Sequence, residues 1–412
     1  MMVEETMSYD EKQVEFFRSH LKTNGGIEVF IKHLLQCGQQ NIHTPFDLCR
    51  EIVGKLNEYT PLDGKSVAVL FNVEFLHVFI NNYGVRPKNI TIFVEDKREF
   101  EFCKLEYNMT PDVNLFFIDM EKTTEEEGLH TLKGKIMKKF DVVVGNPPYQ
   151  STSGNKGKGN ILWDKFVAKA DEQLVNDGGF ICLVHPSLWR KPNHELQKHF
   201  MQNDLRYLEI HDEKDGQKTF GANTRYDWYV LRKGASTGKT AIKGQDGKLV
   251  EIDLRKWEFI PNFDFQLVKK LLAENPKDRV EILHSESAYE SRKEWMSVEK
   301  TTSHKHPVVY MVKMDNTPIT RWSSRTDRGH YGVPKVIFGL ASSQGAFVDE
   351  TGAYGMTQWA GAIVDTPKNL PKIAQALTSD AFRNFCLAIS LRHEVNVKAL
   401  RFFRKDFWKE FA

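Results

Sequence analysis

The apolar positions of this chain alternate between short, nearly continuous runs and longer stretches in which they recur every three or four residues. Runs at 66–71, 89–94, 114–118, 140–144 and 179–184 are rich in Val, Ile, Leu and Phe. Continuous apolarity predicts strands buried on both faces. Helical spacing lies between them, over 75–81, 97–107 and 162–175, and further runs at 205–210 and 226–231 complete a sheet. Repeated β-α-β units imply an α/β fold, a doubly wound and mainly parallel sheet. Upstream, 10–35 has helical periodicity interrupted by Asn24-Gly25-Gly26, which predicts two helices. Thr44-Pro45 is a helix start with Pro in the first turn, and Leu48, Ile52, Val53 and Leu56 form one apolar face. Near residue 234 the pattern gives way to Gly234-Ala235-Ser236-Thr237-Gly238-Lys239. The chain therefore divides into an N-terminal helical segment (1–40), an α/β domain (41–235) and a C-terminal α+β domain (236–412).

Composition narrows the partners. The 412 residues are 41% hydrophobic and 27% charged, as in an ordinary globular protein. The net charge is only +2, so a surface for nucleic acid must be a local patch. No apolar run approaches the ~20 residues that cross a bilayer. The start, Met1-Met2-Val3-Glu4-Glu5, is acidic and lacks the apolar core of a secretory signal. Cys37, Cys49, Cys103, Cys182 and Cys386 are scattered without a C-x-x-C pair. That pattern argues against structural zinc and fits a reducing cytoplasm.

The sharpest feature is Phe140-Asp141-Val142-Val143-Val144-Gly145-Asn146-Pro147-Pro148-Tyr149. A buried strand runs into two prolines that offer no ladder N–H, so it must stop and present a rigid polar turn. An amide side chain, a carbonyl on a locked backbone and an aromatic ring suit a planar, amino-bearing ring gripped by its NH2 and its face. The same residues also make an ordinary strand-to-loop turn.

Through Asn146-Pro147-Pro148-Tyr149 the chain resembles the S-adenosylmethionine-dependent amino-methyltransferases, specifically the DNA adenine-N6 class of restriction–modification systems. The resemblance implies a Rossmann-like catalytic domain over 41–235 and a target-recognition domain over 236–412. It implies double-stranded DNA as partner and S-adenosylmethionine as methyl donor. Two acceptors, the Asn146 side-chain oxygen and the Pro147 carbonyl, would draw on the hydrogens of the adenine amino group, and Tyr149 would stack on the base once it leaves the duplex. Thr44 would close over the methionine end of the cofactor, with Phe71 at the close of the first strand beside it. Glu95, or its neighbour Asp96, would accept from the ribose hydroxyls, and Asp119 from the cofactor's adenine amino group. Lys156 and Lys158, in a glycine-rich polar loop, would reach phosphates. Phe220, in a segment resembling the family's late hairpin, would face the flipped base or simply fill the core. Arg321, Arg325 and Arg328 interleave with aromatics between Arg321 and Tyr331 and would contact DNA. His185 reads as structural.

The chain departs from the family at the first strand. Val67-Ala68-Val69-Leu70-Phe71-Asn72-Val73-Glu74-Phe75 contains no glycine where the family has a glycine-rich turn. Two alternatives therefore stand beside the methyltransferase: a non-catalytic, methyltransferase-like DNA-binding protein, and a methyltransferase for a protein glutamine amide, which shares the Asn-Pro-Pro-Tyr turn. No P-loop and no nuclease pattern is apparent, so restriction cleavage is not expected of this chain.

Overall fold

The computed structural model describes residues 43–118, 138–149, 163–341, 345–392 and 394–412. The helices expected before residue 40 lie outside the described residues, as do Asp119, Lys156 and Lys158. The chain forms two compact units, one ending at Thr237 and the other made of residues 187–197 and 238–412.

The first unit is built on strands β1 (Val67–Leu70), β2 (Ile90–Val94), β3 (Leu115–Phe117), β4 (Phe140–Gly145), β5 (Val175–Pro186), β6 (Asp204–His211) and β7 (Tyr226–Arg232), in the order β3-β2-β1-β4-β5-β7-β6. The first five pair in parallel, and β7 is antiparallel to both neighbours. Every residue of β1 and β2 is buried. This is the cost-free state for Val, Ile and Phe on a sheet covered on both faces. The sheet is of the Rossmann-like, doubly wound kind.

Helix α1 (Phe46–Tyr59) buries Cys49, Ile52, Val53 and Leu56, one face at helical spacing, and packs against α2 (Val73–Tyr83). Pro45 is the N-cap rather than the first helical residue, and its carbonyl accepts from the Cys49 N–H. Helix α2 starts only two residues after β1 and stops at Gly84, whose left-handed backbone lets its N–H reach the Ile80 carbonyl. Helix α3 (Lys97–Tyr107) has the predicted bounds.

Two expectations are corrected here. The helix foreseen over 162–175 is α4 (Trp163–Lys169), which widens into a π turn at Ala170–Leu174. Within that turn Asp171 is buried and satisfied by His199 Nδ1 at 2.9 Å and Asn203 Nδ2 at 3.0 Å. The strand foreseen over 179–184 starts earlier, at Val175, and carries Gly178 and Gly179 as an irregularity in its pairing with β4.

The second unit contains two four-stranded sheets. One is antiparallel, with β8 (Ile282–Leu283), β15 (Ala360–Val364), β12 (Lys335–Gly339) and β13 (Ala346–Asp349) in that order. The other joins β9 (Met296–Ser297), β11 (Pro318–Ser323), β10 (His306–Val312) and β14 (Gly355–Met356). The main core of the second unit gathers Phe259, Phe382, Phe385, Phe403, Phe407 and Phe411 around α6 (Leu370–Leu377) and α7 (Asp380–Ile389). These two helices are separated by Thr378 and the Ser379 cap. A fully buried Lys335–Asp349 pair at 2.6 Å is further bonded by the N–H groups of Ala353 and Tyr354. Those extra donors offset the desolvation of the carboxylate.

Candidate active site

The site begins with a glycine that no other residue can replace. Gly145 ends β4 opposite Leu70 at the end of β1. A Cβ on Gly145 would run into the Leu70 carbonyl and stand 2.8 Å from the Leu70 Cβ. The two strand ends therefore approach more closely than side chains permit. Asn146 leaves the sheet at this point, followed by buried Pro147 and half-buried Pro148 and Tyr149.

Asn146 is 6% exposed. Its Nδ2 donates to Thr44 Oγ1 at 3.2 Å, and the Thr44 hydroxyl donates to Asn72 Oδ1 at 3.2 Å. Thr44 has one proton and gives it to Asn72, so it must accept from Asn146; that fixes which way the Asn146 amide faces. Its Oδ1 is then left as a buried acceptor with no partner among the described residues. A chain of hydrogen bonds thus crosses from the end of β4 to the end of β1 through Thr44, two residues ahead of α1. Cys49, one turn into α1, donates its thiol to the Thr44 carbonyl at 3.6 Å.

The Tyr149 ring is half-buried while its hydroxyl is buried and without a hydrogen-bond partner among the described residues. Burial, with the neighbouring Tyr226 and Asp227, pushes the phenol well above its ordinary range. Phe220 belongs to the same neighbourhood. It meets Tyr226 edge-on at 4.9 Å, and Tyr226 stacks on His211 at 4.3 Å. The local structure corrects an expectation: the segment read as a hairpin is the end of helix α5 (Glu213–Phe220) followed by β7, with Gly221 closing the helix in a left-handed turn. His185 is fully buried and stacked on Trp163 at 4.8 Å, a packing position.

At the end of β2, Glu95 is half-buried and Asp96 is buried. Burial first, then the charge of Asp96, raise the Glu95 carboxyl to about 7, against a lowering pull from His43. The β1 turn is built without glycine. Phe71 itself takes the left-handed backbone, φ 63°, a conformation that costs a side-chain-bearing residue about 1–2 kcal/mol. Its N–H donates to the Phe93 carbonyl at 2.9 Å, and its ring packs edge-on against Phe166 at 5.2 Å. Val73 and Phe75 are fully buried in the core. The turn has the backbone of a glycine turn, and its bulky side chains are committed to packing.

Sequence reasoning missed His43, Asn72 and Glu74. Glu74 is 1% exposed, its Oε1 is 2.9 Å from His43 Nδ1, and that histidine is also 3.8 Å from Glu99. The available signal was a single acid inside the apolar helix Val73-Glu74-Phe75-Leu76, whose burial demands a partner. Among the described residues no group of three or more His, Cys, Asp or Glu side chains is arranged to hold a metal ion, and no helix is long and apolar enough to cross a membrane.

Arg321, Arg325 and Arg328 lie in the second unit. Arg321 sits over the Tyr310 ring at 4.8 Å, and Arg325 and Arg328 over Trp295 at 5.7 and 4.9 Å. Asp327 engages Arg325 through two bonds of 2.9 and 2.6 Å, whereas Arg328 is exposed.

The first unit is thus a Rossmann-like sheet whose polar groups collect at the carboxyl ends of β1, β2 and β4, the ligand-binding end of such sheets. Residues 70–220 match the model of the Eco57I restriction-modification methylase family. The chain is similar to a type I restriction–modification complex (17% identity, TM-score 0.39, covering 52% of this chain and 48% of that one). It is also similar to the type IIG restriction endonuclease BpuSI (11%, TM-score 0.45, 91% and 61%). A third likeness is to the type I methyltransferase subunit from Streptococcus thermophilus (15%, TM-score 0.35, 51% and 50%). The chain spans about half the length of the two type I proteins. No curated protein matches it significantly.

Proposed function

We propose that the chain transfers a methyl group from S-adenosylmethionine to the N6 amino group of adenine in DNA. The observation that carries this reading is the buried Asn146 Oδ1, which has no partner among the described residues and is oriented by the Nδ2 bond to Thr44, on a turn that two prolines make rigid. Such an acceptor is preorganised for an N–H that arrives with a substrate. Together with the Pro147 carbonyl it would draw the amino nitrogen toward a pyramidal geometry and localise its lone pair. The Tyr149 ring would hold the base by its face, with Phe220 and Tyr226 closing the wall behind it. The cofactor supplies the reactive methyl on a sulfonium. The residues present fit its nucleoside: a half-buried Glu95 carboxylate at the end of β2 suits a pair of ribose hydroxyls. Phe71 does not obstruct this fit, because its ring is turned onto Phe166.

Asn146→Ala removes an interaction that counts mainly in the transition state. Methyl transfer should fall by ~10²-fold or more while DNA binding survives, read by sequencing a plasmid for modified adenine. Near-normal methylation would overturn the assignment. The protein-glutamine alternative would give no modified adenine at all.

The second unit supports recognition of the target. Its cation–aromatic cluster around Trp295 offers charge for phosphates and faces for bases. Arg328, exposed and free of an acidic partner in the ion pairs described, should carry about one unit of the salt-dependence slope of DNA binding. Arg325, already engaged by Asp327, should carry less. Equal slopes in Arg328→Ala and the parent protein would move the DNA surface elsewhere. The glycine-free β1 turn is the observation that favours the non-catalytic reading. Calorimetry with S-adenosylmethionine, alone and with DNA, separates the two, since a non-catalytic chain that has lost the cofactor gives no heat in either titration.

A further inference from the structure

In the second unit the backbone of an exposed arginine is tied to a fully buried tyrosine. Tyr289 is 0% exposed, while Asp327, Arg328 and Gly329 lie at the surface. The Tyr289 hydroxyl accepts from the Arg328 N–H at 3.1 Å and donates to the Gly329 carbonyl at 3.3 Å, so its proton and an acceptor lone pair both serve this one turn. The turn is strained. Gly329 and His330 are both left-handed, with φ 80° and 76°, and a residue with a Cβ takes that backbone only where its surroundings hold it there. His330 is held by burial. It is 7% exposed, its ring leans on the Tyr289 ring at 5.5 Å, and it bonds to the backbone of Met356.

The other end of Arg328 is braced as well. Its guanidinium lies over the Trp295 ring at 4.9 Å. The indole Nε1 donates to the carbonyl of Ala288, the residue before Tyr289, at 3.1 Å, and the Trp295 carbonyl accepts from the Ser324 N–H at 3.0 Å. The segment from Ala288 to Trp295 therefore holds the arginine at two points, backbone and head group, while the residue as a whole stays exposed. We propose that Tyr289 is the positioning residue for Arg328: it orders the arginine before DNA arrives, so that a phosphate contact forms without the loss of freedom that a long side chain on a loose loop would bear. This inference rests on the reading of the second unit as the DNA-recognising one and adds the means by which one of its cations is aimed. Phosphate contacts fix a protein's register on the duplex, so an arginine aimed in advance sets where the rest of the unit lands.

A double-mutant cycle on the full chain tests it, with a fluorescein-labelled duplex of mixed sequence as probe and affinity read by anisotropy across a KCl series. Mixed sequence suffices because phosphate contacts do not depend on sequence. Tyr289→Phe keeps the buried ring and removes the hydroxyl. It should weaken binding about fivefold in the parent protein, the cost of ordering one long side chain, and change it by less than about twofold once Arg328 is already alanine. A similar loss in both backgrounds means that the hydroxyl serves the fold at large, and overturns the inference; so does no loss in the parent. Either result, with Arg328→Ala alone still lowering the salt slope by about one, leaves the DNA surface standing. If Arg328→Ala changes neither slope nor affinity, the DNA reading of this surface falls and the inference falls with it. Hydrogen exchange in the parent protein decides the matter even where the variant does not fold. The Arg328 amide, bonded to a buried oxygen, should exchange at least about tenfold more slowly than an unprotected amide. Exchange at the unprotected rate overturns the inference.

Discussion

The ends of β1 and β4 lie side by side in one parallel sheet, yet they solve opposite problems. At β4 the chain keeps a glycine, Gly145, and gains a close approach to the Leu70 carbonyl. At β1 the glycines are absent, and Phe71 adopts the left-handed conformation that glycine would take without strain. The strand end that carries the chemistry has kept its backbone freedom. The neighbouring end has exchanged it for side chains: Asn72 and Glu74 are buried there and bonded to Thr44 and His43. Close approach at a strand end can therefore be supplied from either side of a strand pair, and a missing glycine motif does not by itself mean an absent site.

The comparison can be broken most sharply at Gly145. Gly145→Ala must push β1 and β4 apart, and we expect a loss of about 3 kcal/mol or more, visible in chemical denaturation. A variant as stable as the parent would mean that the strand ends are looser than described. The link between the two ends is tested next. Thr44→Val keeps the shape and removes the hydroxyl that joins Asn146 to Asn72, leaving buried polar groups unpaired. Methyl transfer should fall roughly tenfold, with a smaller change in DNA affinity. An unaltered rate would make the contact incidental.

The smallest effect concerns Glu95. Its carboxyl is raised from 4.5 to about 7, so the folded state favours the neutral form. The stability this contributes is present below the unfolded value and is lost as pH rises through the folded one. Ribose hydroxyls instead call for the ionised form. Cofactor affinity should therefore strengthen a few-fold between pH 6 and 8 while stability declines, and Glu95→Gln should flatten both profiles. A flat affinity profile in the parent protein would remove Glu95 from the ribose site.

Much of the first unit was legible because its signals are local. Val67 to Leu70, Ile90 to Val94 and Val142 to Val144 are continuous apolar runs, and Lys97–Tyr107 shows its helical period directly. The Asn-Pro-Pro-Tyr turn declared itself because two prolines cannot extend a strand. The features that escaped depend on residues far apart in sequence. His43 and Glu74 are separated by 31 positions, and neither is unusual alone. Residues 187–197 belong with the second unit, where Arg190 is buried because Ile260 and Asn262, about 70 residues later, accept its guanidinium protons. The π turn after α4 was equally hidden. It exists where Asp171 meets His199 and Asn203, and no local pattern records that meeting.

Cys49 turns the Thr44 contact into a clock. Its thiol is completely buried, donates to the Thr44 carbonyl, and is pushed well above its usual range by burial and by the charge of Glu74. A thiol in that state does not react with an alkylating reagent until a local opening at the start of α1 exposes it. The labelling rate at Cys49, separated by peptide mapping from Cys37, Cys103, Cys182 and Cys386, therefore counts how often that opening occurs. A ligand that contacts Thr44 should slow the count, so occupancy becomes measurable without turnover and without any optical change in the ligand.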